Sequence, residues 1–375
     1  MTEIYLIRHT QAEGNLYRMM QGHRDSGITP QGKQQIDRLA ERFRDVPVDS
    51  LWSSDLYRAR MTANAIRKYH DLPLQTDRGL REIDMGSWEG KFFGDLEYAD
   101  PESIRRFIRD PYLWLLEGAE TYEQTGRRAM QTMTRIAEEN DGKTVVVTSH
   151  GVTIRTFLSL VTGVSLKDTE NLPVFGNTSV SRLTYEDGRF RVDYMNSTSH
   201  LEGLSSHAWS GAPNLRGECF DPTADRSYYS EIYADTWKSA HGSLKDFTAL
   251  PYYSLAVRHY RADPENVIRL YDGETPAGLL ETDSERGAEA GYLWIVLLNI
   301  REDLRGKGCG AQALGRAVCH AQRLGRRYLR LNVSEENRTA LHFYEKTGFY
   351  PVAEERSVTG VLKTLEWNLE ERDDA

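Results

Sequence analysis

A short apolar run that ends on charged residues opens the chain, and this feature most restricts the fold. Residues 5–7 are Tyr-Leu-Ile, and Arg8 and His9 follow them. A run of this length beside polar turn residues is typical of a buried strand in a parallel sheet. Residues 144–148 form a second such run, which leads to His150. Because ligands bind at the carboxyl ends of strands in open α/β sheets, both histidines are candidates for a functional site.

Segments with helical spacing separate the strands. Thr29 is a natural N-cap and Pro30 suits a first helical turn, while Asp55 is expected to cap the helix that carries Arg58. Further strands and helices are predicted near residues 50–53, 101–107, 121–139, 181–185 and 190–194. This alternation predicts an α/β fold with a parallel or mixed sheet that is covered on both faces.

Length and composition limit the class of protein. A chain of 375 residues suggests about two domains. The net charge of -9 argues against non-specific nucleic-acid binding. Three widely spaced cysteines favour a reduced, cytoplasmic setting. No secretory segment or membrane-length apolar stretch is visible, so we expect no membrane partner. Because the net charge is negative, we also expect no nucleic-acid partner.

Arginines and histidines of the first half have the chemistry of a phosphate site. Arg8 and Arg58 can each bind two phosphate oxygens. His150 stands at the predicted start of a helix, where the backbone favours anions. His9 could attack phosphorus. Either histidine alone is more often structural, but the four residues together predict a phosphate pocket.

The first half resembles the histidine phosphatase superfamily, which has the phosphoglycerate-mutase-like fold. The resemblance covers residues 1–201 and implies a three-layer αβα domain. Its pieces follow the family's order: Arg8-His9-Thr10, Asn15, the turn at 27–32, residues 54–59 with Thr62-Ala63, Leu80-Arg81-Glu82, Trp88-Glu89-Gly90, Ser149-His150-Gly151, Asn177 and residues 196–201. One departure is Thr10-Gln11 where Gly-Glu is usual, and it should leave the chemistry unaffected.

The resemblance implies a role for each residue of the pocket. His9 would be the nucleophile, without a metal ion, and Arg8, Arg58 and His150 would hold the phosphate. Glu82 would be the proton donor. The residues expected to bind the substrate are Arg8, Asn15, Gln21, Gly22, Arg58 and His150.

The proposed acid must give a proton to the leaving group and later activate water. Burial beside Met85 and Trp88 would favour the protonated form of Glu82. Asp84 and Glu89 are neighbouring alternatives. The mutases of the family carry extra segments that retain the phosphorylated intermediate, and this half is short for that. We therefore expect a phosphatase that acts on a small phosphate ester, with a phosphoglycerate-type mutase as the alternative.

A glycine-rich loop organises the second half, which follows a linker predicted at residues 202–213. An apolar strand at 292–300 leads to the loop 304–310 and then to a helix at 311–324. A strand, spaced glycines and a helix can cradle a pyrophosphate through backbone N–H groups. The spacing differs from that of the dinucleotide fingerprint.

This half, taken as a domain of residues 214–375, resembles the GNAT superfamily of N-acetyltransferases, which implies an α+β fold and acetyl-CoA as cofactor. The matching pieces are residues 305–310, Asn337, Ala340, Tyr344 and Gly348-Phe349. By resemblance, the cofactor would be bound by Leu298, Ile300, Arg305, Gly306, Lys307, Gly308, Cys309, Gly310 and Asn337. Tyr344 would protonate the departing thiolate.

Two features of this half stay open at this stage. The general base is unassigned, with Glu281, Glu302 and Asp303 as candidates. An aromatic stripe at residues 229, 233 and 237 is interpreted as core, with a wall of the acceptor site as the alternative. The whole chain is predicted to be a bifunctional enzyme whose second activity acetylates a small-molecule or peptide amine. A non-catalytic, CoA-sensing second domain is the alternative.

Overall fold

The computed structural model describes residues 1–207, 211, 213–245, 247–357 and 360–370. Residues 208–210 and 212 of the predicted linker lie outside the described residues. The chain divides into two compact units, which consist mainly of residues 1–208 and 209–375. No helix among the described residues combines the length and the apolar character that crossing a membrane requires.

The first unit is built on a mixed sheet with the strand order β3-β2-β4-β1-β5-β6. Its strands are β1 (Thr2–Arg8), β2 (Ser50–Ser53), β3 (Leu74–Thr76), β4 (Thr144–Ser149), β5 (Val180–Glu186) and β6 (Arg189–Ser197). The helices in this half of the chain are α1 (Glu13–Tyr17), α2 (Pro30–Phe43), α3 (Tyr57–Arg67), α4 (Phe93–Ala99), α5 (Pro101–Arg109), α6 (Tyr122–Glu139) and α7 (Gly151–Thr162). β1 and β4 are parallel, with Arg8 opposite Ser149. The residues that follow these two strands therefore leave the sheet side by side.

Alternating side chains of the central strands bury both faces of this sheet. In β1, Ile4 and Leu6 enter the core cluster that contains residues of α6 and α7, whereas Ile7 enters the cluster that contains residues of α2 and α3. In β4, Val145 and Val146 divide between the two clusters in the same way. The period of two along a strand explains this division. The prediction of an α/β fold with a sheet covered on both faces is confirmed.

Local sequence signals predict the start of one helix correctly and the start of another incorrectly. Thr29 caps α2, because its hydroxyl accepts a hydrogen bond from the Gly32 N–H at 2.9 Å. The prediction that Asp55 caps the helix of Arg58 is wrong. That helix begins at Tyr57, and the Asp55 carboxylate instead accepts two hydrogen bonds of 2.6 Å from Arg81.

The second unit has its own sheet, with the order β12-β13-β11-β10-β9-β8-β7. Its strands are β7 (Arg216–Cys219), β8 (Val267–Asp272), β9 (Thr275–Asp283), β10 (Tyr292–Ile300), β11 (Tyr328–Ser334), β12 (Tyr350–Ser357) and β13 (Gly360–Asn368). Its helices are α8 (Arg226–His241), α9 (Ala249–Ala262), α10 (Cys309–Arg323) and α11 (Arg338–Thr347). β10 pairs in parallel with β11 only as far as Ile295, and a bulge follows between Ile295 and Leu297. Beyond this point the two strands are no longer paired, and we call this unpaired region the cleft.

Candidate active sites

Two histidines meet where β1 and β4 end. The rings of His9 and His150 have centroids 5.1 Å apart. Both residues are buried, and His150 is the N-cap residue of α7. The parallel register of the two strands thus produces the pair that the sequence predicted.

The ring orientation of His9 fixes which nitrogen can react. Its Nδ1 lies 2.7 Å from the carbonyl oxygen of Thr10. Because a carbonyl only accepts, Nδ1 carries the proton and Nε2 holds the free lone pair of the neutral ring. Burial, followed by the charges of Arg58 and Arg8, lowers the pKa of His9 well below its usual value. The imidazole is therefore in its neutral, nucleophilic form at neutral pH.

Two guanidinium groups share this pocket, that of Arg58 buried and that of Arg8 half-buried. Arg58, with 1% of its surface exposed, donates to the carbonyl oxygens of Gly22 at 2.8 Å and Arg24 at 3.0 Å. Arg8 donates to the carbonyl of Phe175. Burial lowers the pKa of Arg8 to about 10, so the group stays charged at neutral pH.

Four buried nitrogens at this place have no hydrogen-bond partner among the described residues: Arg8 Nε, Arg58 Nε and both ring nitrogens of His150. Burial, then the charge of Arg58, lowers the pKa of His150 well below its usual value, so its ring is neutral at neutral pH. Buried donors without acceptors are costly. The two guanidinium nitrogens are donors and the neutral His150 ring carries one N–H, so an anion with several oxygen atoms would supply acceptors for these three N–H groups.

Glu82 lies beside His150 at the start of α7. Its carboxylate accepts hydrogen bonds from the backbone N–H groups of Thr153 at 3.0 Å, Val152 at 3.1 Å and Ile83 at 3.0 Å. Sequence reasoning considered only apolar neighbours for this carboxyl group, and the helix N-terminus was missed. The helix positions the acid next to the histidine pair.

The two alternative acids are occupied elsewhere. Glu89 accepts hydrogen bonds from the backbone N–H groups of residues 22, 23, 24 and 85, at 2.7 to 3.2 Å. Asp84 accepts from the Gly86 N–H at 2.8 Å. Glu89 therefore holds the loop whose carbonyl groups bind Arg58.

The other predicted substrate residues line the same loop region. Asn15 accepts a hydrogen bond of 3.3 Å from the side chain of Asn177, which also donates to the His9 carbonyl at 3.0 Å. Gln21 donates to Ser26. At Gly22 an added Cβ would lie 2.3 Å from the Ile83 carbonyl oxygen, so the close approach of the chains requires glycine.

Sequence reasoning missed a set of hydrogen bonds that supports the backbone around His9. Gln35 is fully buried, and its side-chain oxygen accepts from Thr10 at 3.1 Å and from the Gln11 N–H at 2.9 Å. Its amide nitrogen donates to the carbonyl of Ser205 at 2.8 Å, and Asn177 donates its N–H to the carbonyl of Ser206 at 2.8 Å. A glutamine on the apolar face of α2 is the sequence signal that could have revealed these hydrogen bonds.

The glycine-rich loop of the second unit joins the end of β10 to α10. Gly306 and Gly308 have positive φ angles of 74° and 85°, which favour glycine. An added Cβ at either position would meet no atom within 4 Å. Lys307 is exposed and Cys309 is buried. The backbone of this loop is therefore open to a ligand at the start of a long helix.

Several predicted cofactor residues have partners within the protein. Arg305 donates to the Ile300 carbonyl at 2.8 Å and pairs with Asp235 at 2.7 Å. Leu298 and Ile300 lie on the part of β10 that has left β11. Asn337 caps α11 by accepting from the Ala340 N–H at 3.1 Å. Arg305 therefore ties the loop to the end of β10, and Asn337 stabilises the start of α11.

Tyr344 is buried with Phe343 and Phe349, whose ring centroids lie 5.1 and 5.2 Å away. Burial raises its pKa, so the hydroxyl remains a proton donor at neutral pH. An added Cβ at Gly310 would lie 3.3 Å from the Phe343 ring.

The base candidates differ in their surroundings. Glu302 and Asp303 are exposed, and Asp303 pairs with Arg301 at 2.6 Å. Glu281 is fully buried and contacts His259 at 2.7 Å. Within the described parts of the chain, no three His, Cys, Asp or Glu side chains are grouped so that they could hold a metal ion.

Comparisons with known proteins agree with this division of the chain. The family model "Histidine phosphatase superfamily (branch 1)" matches residues 4–198, and the model "Acetyltransferase (GNAT) family" matches residues 227–349. A protein of Hydrogenobacter thermophilus named "Putative phosphoserine phosphatase 2" is 28% identical over 205 residues, which cover 55% of this chain and 100% of that protein. "Probable phosphoglycerate mutase GpmB" of Salmonella choleraesuis is 27% identical, with 54% and 96% covered.

A solved structure shares the fold of the first unit. "Bacillus stearothermophilus YhfR" superposes with a TM-score of 0.52 and 31% sequence identity, over 53% of this chain and 99% of that chain. The first family model and this likeness cover the residues of the His9 pocket, and the second family model covers the glycine-rich loop. The chain therefore belongs to the histidine phosphatase superfamily, and its second half carries a GNAT-family acetyltransferase domain.

Proposed function

We propose that this protein is a bifunctional enzyme, a metal-independent phosphomonoesterase joined to an acetyl-CoA-dependent N-acetyltransferase. The four buried nitrogens without partners, on Arg8, Arg58 and His150, carry the first half of the proposal. Their N–H groups lie in the same pocket as a neutral His9 and need acceptor oxygens such as those of a phosphate. We assign this activity to residues 1–201 and the second to residues 214–375, with 202–213 joining them.

The first reaction runs in two steps. Nε2 of His9 attacks phosphorus in line, the N–P bond forms, and the P–O bond to the leaving group breaks while Glu82 gives that oxygen a proton. Water then attacks the phosphohistidine, Glu82 takes a proton from it, and free phosphate leaves His9. Arg8 and Arg58 offset the charge of the transferring oxygens in both steps.

The proton donor role of Glu82 predicts a dependence on the leaving group. Glu82→Gln should slow hydrolysis of an alkyl phosphate, which leaves as a poor alkoxide, by roughly 10²-fold or more. It should slow the first step with nitrophenyl phosphate far less, because nitrophenolate leaves without a proton. Burst kinetics of nitrophenolate release would isolate that step, and Asp84→Gln would serve as the control. Equal losses on both esters would remove Glu82 from this role.

Hydrolysis and mutase chemistry differ in their need for a second phosphoryl group. The observation that supports the mutase alternative is that one relative is named a probable phosphoglycerate mutase. We expect phosphate release to be unchanged when a bisphosphorylated sugar acid is added, because water reaches the phosphohistidine directly. Strong stimulation, with isomerised ester as the product, would favour the mutase. Measuring phosphate and ester isomers together over time decides between them.

For the second activity, we propose that the backbone of residues 306–310 binds the pyrophosphate of acetyl-CoA at the start of α10. The positive φ angles and the open space at Gly306 and Gly308 support this placement. The acyl arm would follow Leu298 and Ile300 into the cleft where β10 leaves β11. Tyr344 would give its proton to the departing thiolate. A small-molecule or peptide amine would be the acceptor.

A further inference from the structure

A strained turn lies beside the strand that ends at the proposed nucleophile. Residues 176–179 form this turn, which is closed by a hydrogen bond of 3.0 Å from the Ser179 N–H to the Gly176 carbonyl. The third residue of the turn, Thr178, is fully buried and has a φ of 54°. A positive φ at this position favours glycine or asparagine, and a β-branched residue there is an outlier. Such strain persists only where the surrounding structure enforces it, and it clusters at functional sites.

The turn holds the backbone of His9. The Thr178 N–H lies 3.1 Å from the carbonyl oxygen of Arg8 and 3.3 Å from that of His9. The side-chain amide of Asn177 donates to the same His9 carbonyl at 3.0 Å. The His9 N–H donates to the Ser149 carbonyl of β4 at 2.9 Å. Both backbone polar groups of His9 are therefore fixed, one by β4 and the other by this turn.

The hydroxyl group of Thr178 gives this position a role that glycine could not fill. Its oxygen lies 2.8 Å from the Asn177 carbonyl oxygen and 3.2 Å from Nε2 of His200. Nδ1 of His200 lies in turn 3.2 Å from Nη1 of Arg42 in α2. A glycine would relax the backbone of the turn but would break this row of hydrogen bonds.

The chemistry of these groups fixes the direction of each hydrogen bond. A guanidinium only donates, so Nδ1 of His200 accepts from Arg42 and Nε2 carries the proton of the neutral ring. Nε2 therefore donates to the Thr178 hydroxyl, and this hydroxyl gives its own proton to the Asn177 carbonyl, which only accepts. Burial, then the charge of Arg42, lowers the pKa of His200 to about 4, so the ring is neutral at neutral pH. Every donor in the row thus meets an acceptor.

We propose that Thr178 is a positioning residue of the phosphatase, and that His200 and Arg42 hold its strained backbone so that Nε2 of His9 stays directed at phosphorus. The inference rests on the proposed phosphatase function. Thr178 acts through the carbonyl groups of Arg8 and His9, which its N–H contacts. If the turn relaxed, the His9 ring would move with its backbone. A displacement of about 1 Å at a reacting atom can slow a reaction about 10²-fold.

Misplacing the nucleophile should affect every substrate, which gives the proposal a specific kinetic signature. Thr178→Val keeps the shape of the side chain and removes only the hydroxyl. It should lower kcat roughly 10-fold or more, with KM nearly unchanged. The loss should be equal for an alkyl phosphate and for nitrophenyl phosphate, and the burst of nitrophenolate should slow. Glu82→Gln, in contrast, should largely spare the first step with nitrophenyl phosphate.

Further variants of the full chain separate positioning from stability. Thr178→Ser keeps the hydroxyl, and His200→Gln keeps one acceptor for Arg42 and one donor for Thr178. Both should retain most of the activity that Thr178→Val and His200→Phe lose. Thr178→Gly relieves the strain without supplying the hydroxyl, so it should keep the wild-type midpoint of thermal unfolding and still lose kcat. Asp187→Val is the matched control, because Asp187 also has a positive φ, 49°, but lies exposed in the turn between β5 and β6. It should hydrolyse both esters at the wild-type rate.

Burst and steady-state kinetics on both esters, together with thermal unfolding, decide the outcome. A wild-type kcat in Thr178→Val and Thr178→Gly protein would overturn the positioning role, while the phosphatase function would stand. Losses of kcat that appear only in variants with a lowered unfolding midpoint, or that Asp187→Val shares, would overturn it as well. A loss confined to the alkyl phosphate would place the effect on Glu82 and not on His9. Failure of the wild type to release phosphate from either ester would overturn the underlying function itself.

Discussion

Replacing His9 with alanine is expected to lower phosphate release at least about 10³-fold, because no other neutral imidazole in the pocket is held with its Nε2 free in the same way. Nδ1 of His9 is tied to the Thr10 carbonyl, while neither ring nitrogen of His150 has a partner among the described residues. The change should leave acetyl-CoA binding intact. Phosphate release from an alkyl ester measures the effect.

The same variant tests the covalent intermediate. Brief incubation of the wild type with an activated phosphate ester should give an acid-labile, base-stable label on His9. His70→Ala is the matched control, because His70 is only half-buried and is bound to the Phe43 carbonyl at 2.7 Å. A label of equal yield in His9→Ala protein, or one that mass spectrometry places on His150, would show that the nucleophile is misassigned.

Replacing Gly308 with aspartate is expected to abolish detectable acetyl-CoA binding. The carboxylate would stand among the backbone N–H groups proposed for the pyrophosphate and would repel it. Gly308 has a φ of 85°, so any side chain also strains the backbone. Calorimetric titration with acetyl-CoA measures the loss, and phosphatase activity should not change.

Two further variants separate charge from strain. Gly325 has a φ of 64° and, like Gly308, open space at its Cβ position, but it lies after the far end of α10. Gly325→Asp therefore repeats the strain and the charge away from the loop and should bind acetyl-CoA normally. Gly308→Asn keeps the strain without the charge and should bind weakly. Normal binding by Gly308→Asp would place the cofactor elsewhere.

The histidine pair was predictable because it depends on a rule of parallel sheets. Each histidine comes next to the end of a buried strand, and parallel strands end at one edge. The observed register, with Arg8 opposite Ser149, adds only the distance between the rings. The glycine-rich loop was predictable for a similar local reason, since its positive φ angles require glycine.

Long-range partners explain what was missed or wrong. Asp55 has a side chain that suits an N-cap, but its carboxylate is bound to Arg81 instead of to the first backbone N–H groups of α3. Helix α9, which carries His259, was not predicted at all, and its contact with Glu281 is made across 22 residues. Gln35 meets Ser205 after 170 residues. No pattern in a single sequence specifies such pairs.

The hydrogen bonds of Ser205 and Ser206 limit where this chain can be truncated or fused to another domain. Gln35 and Asn177 join the carbonyl groups of these serines to the backbone around His9. A stand-alone phosphatase that stops at residue 201 would lose the hydrogen bonds to both serine carbonyl groups, although its sheet would be complete. A chimera with a foreign partner should therefore exchange modules after residue 207. The segment that must be kept intact is therefore the first domain together with the first few residues that connect it to the second.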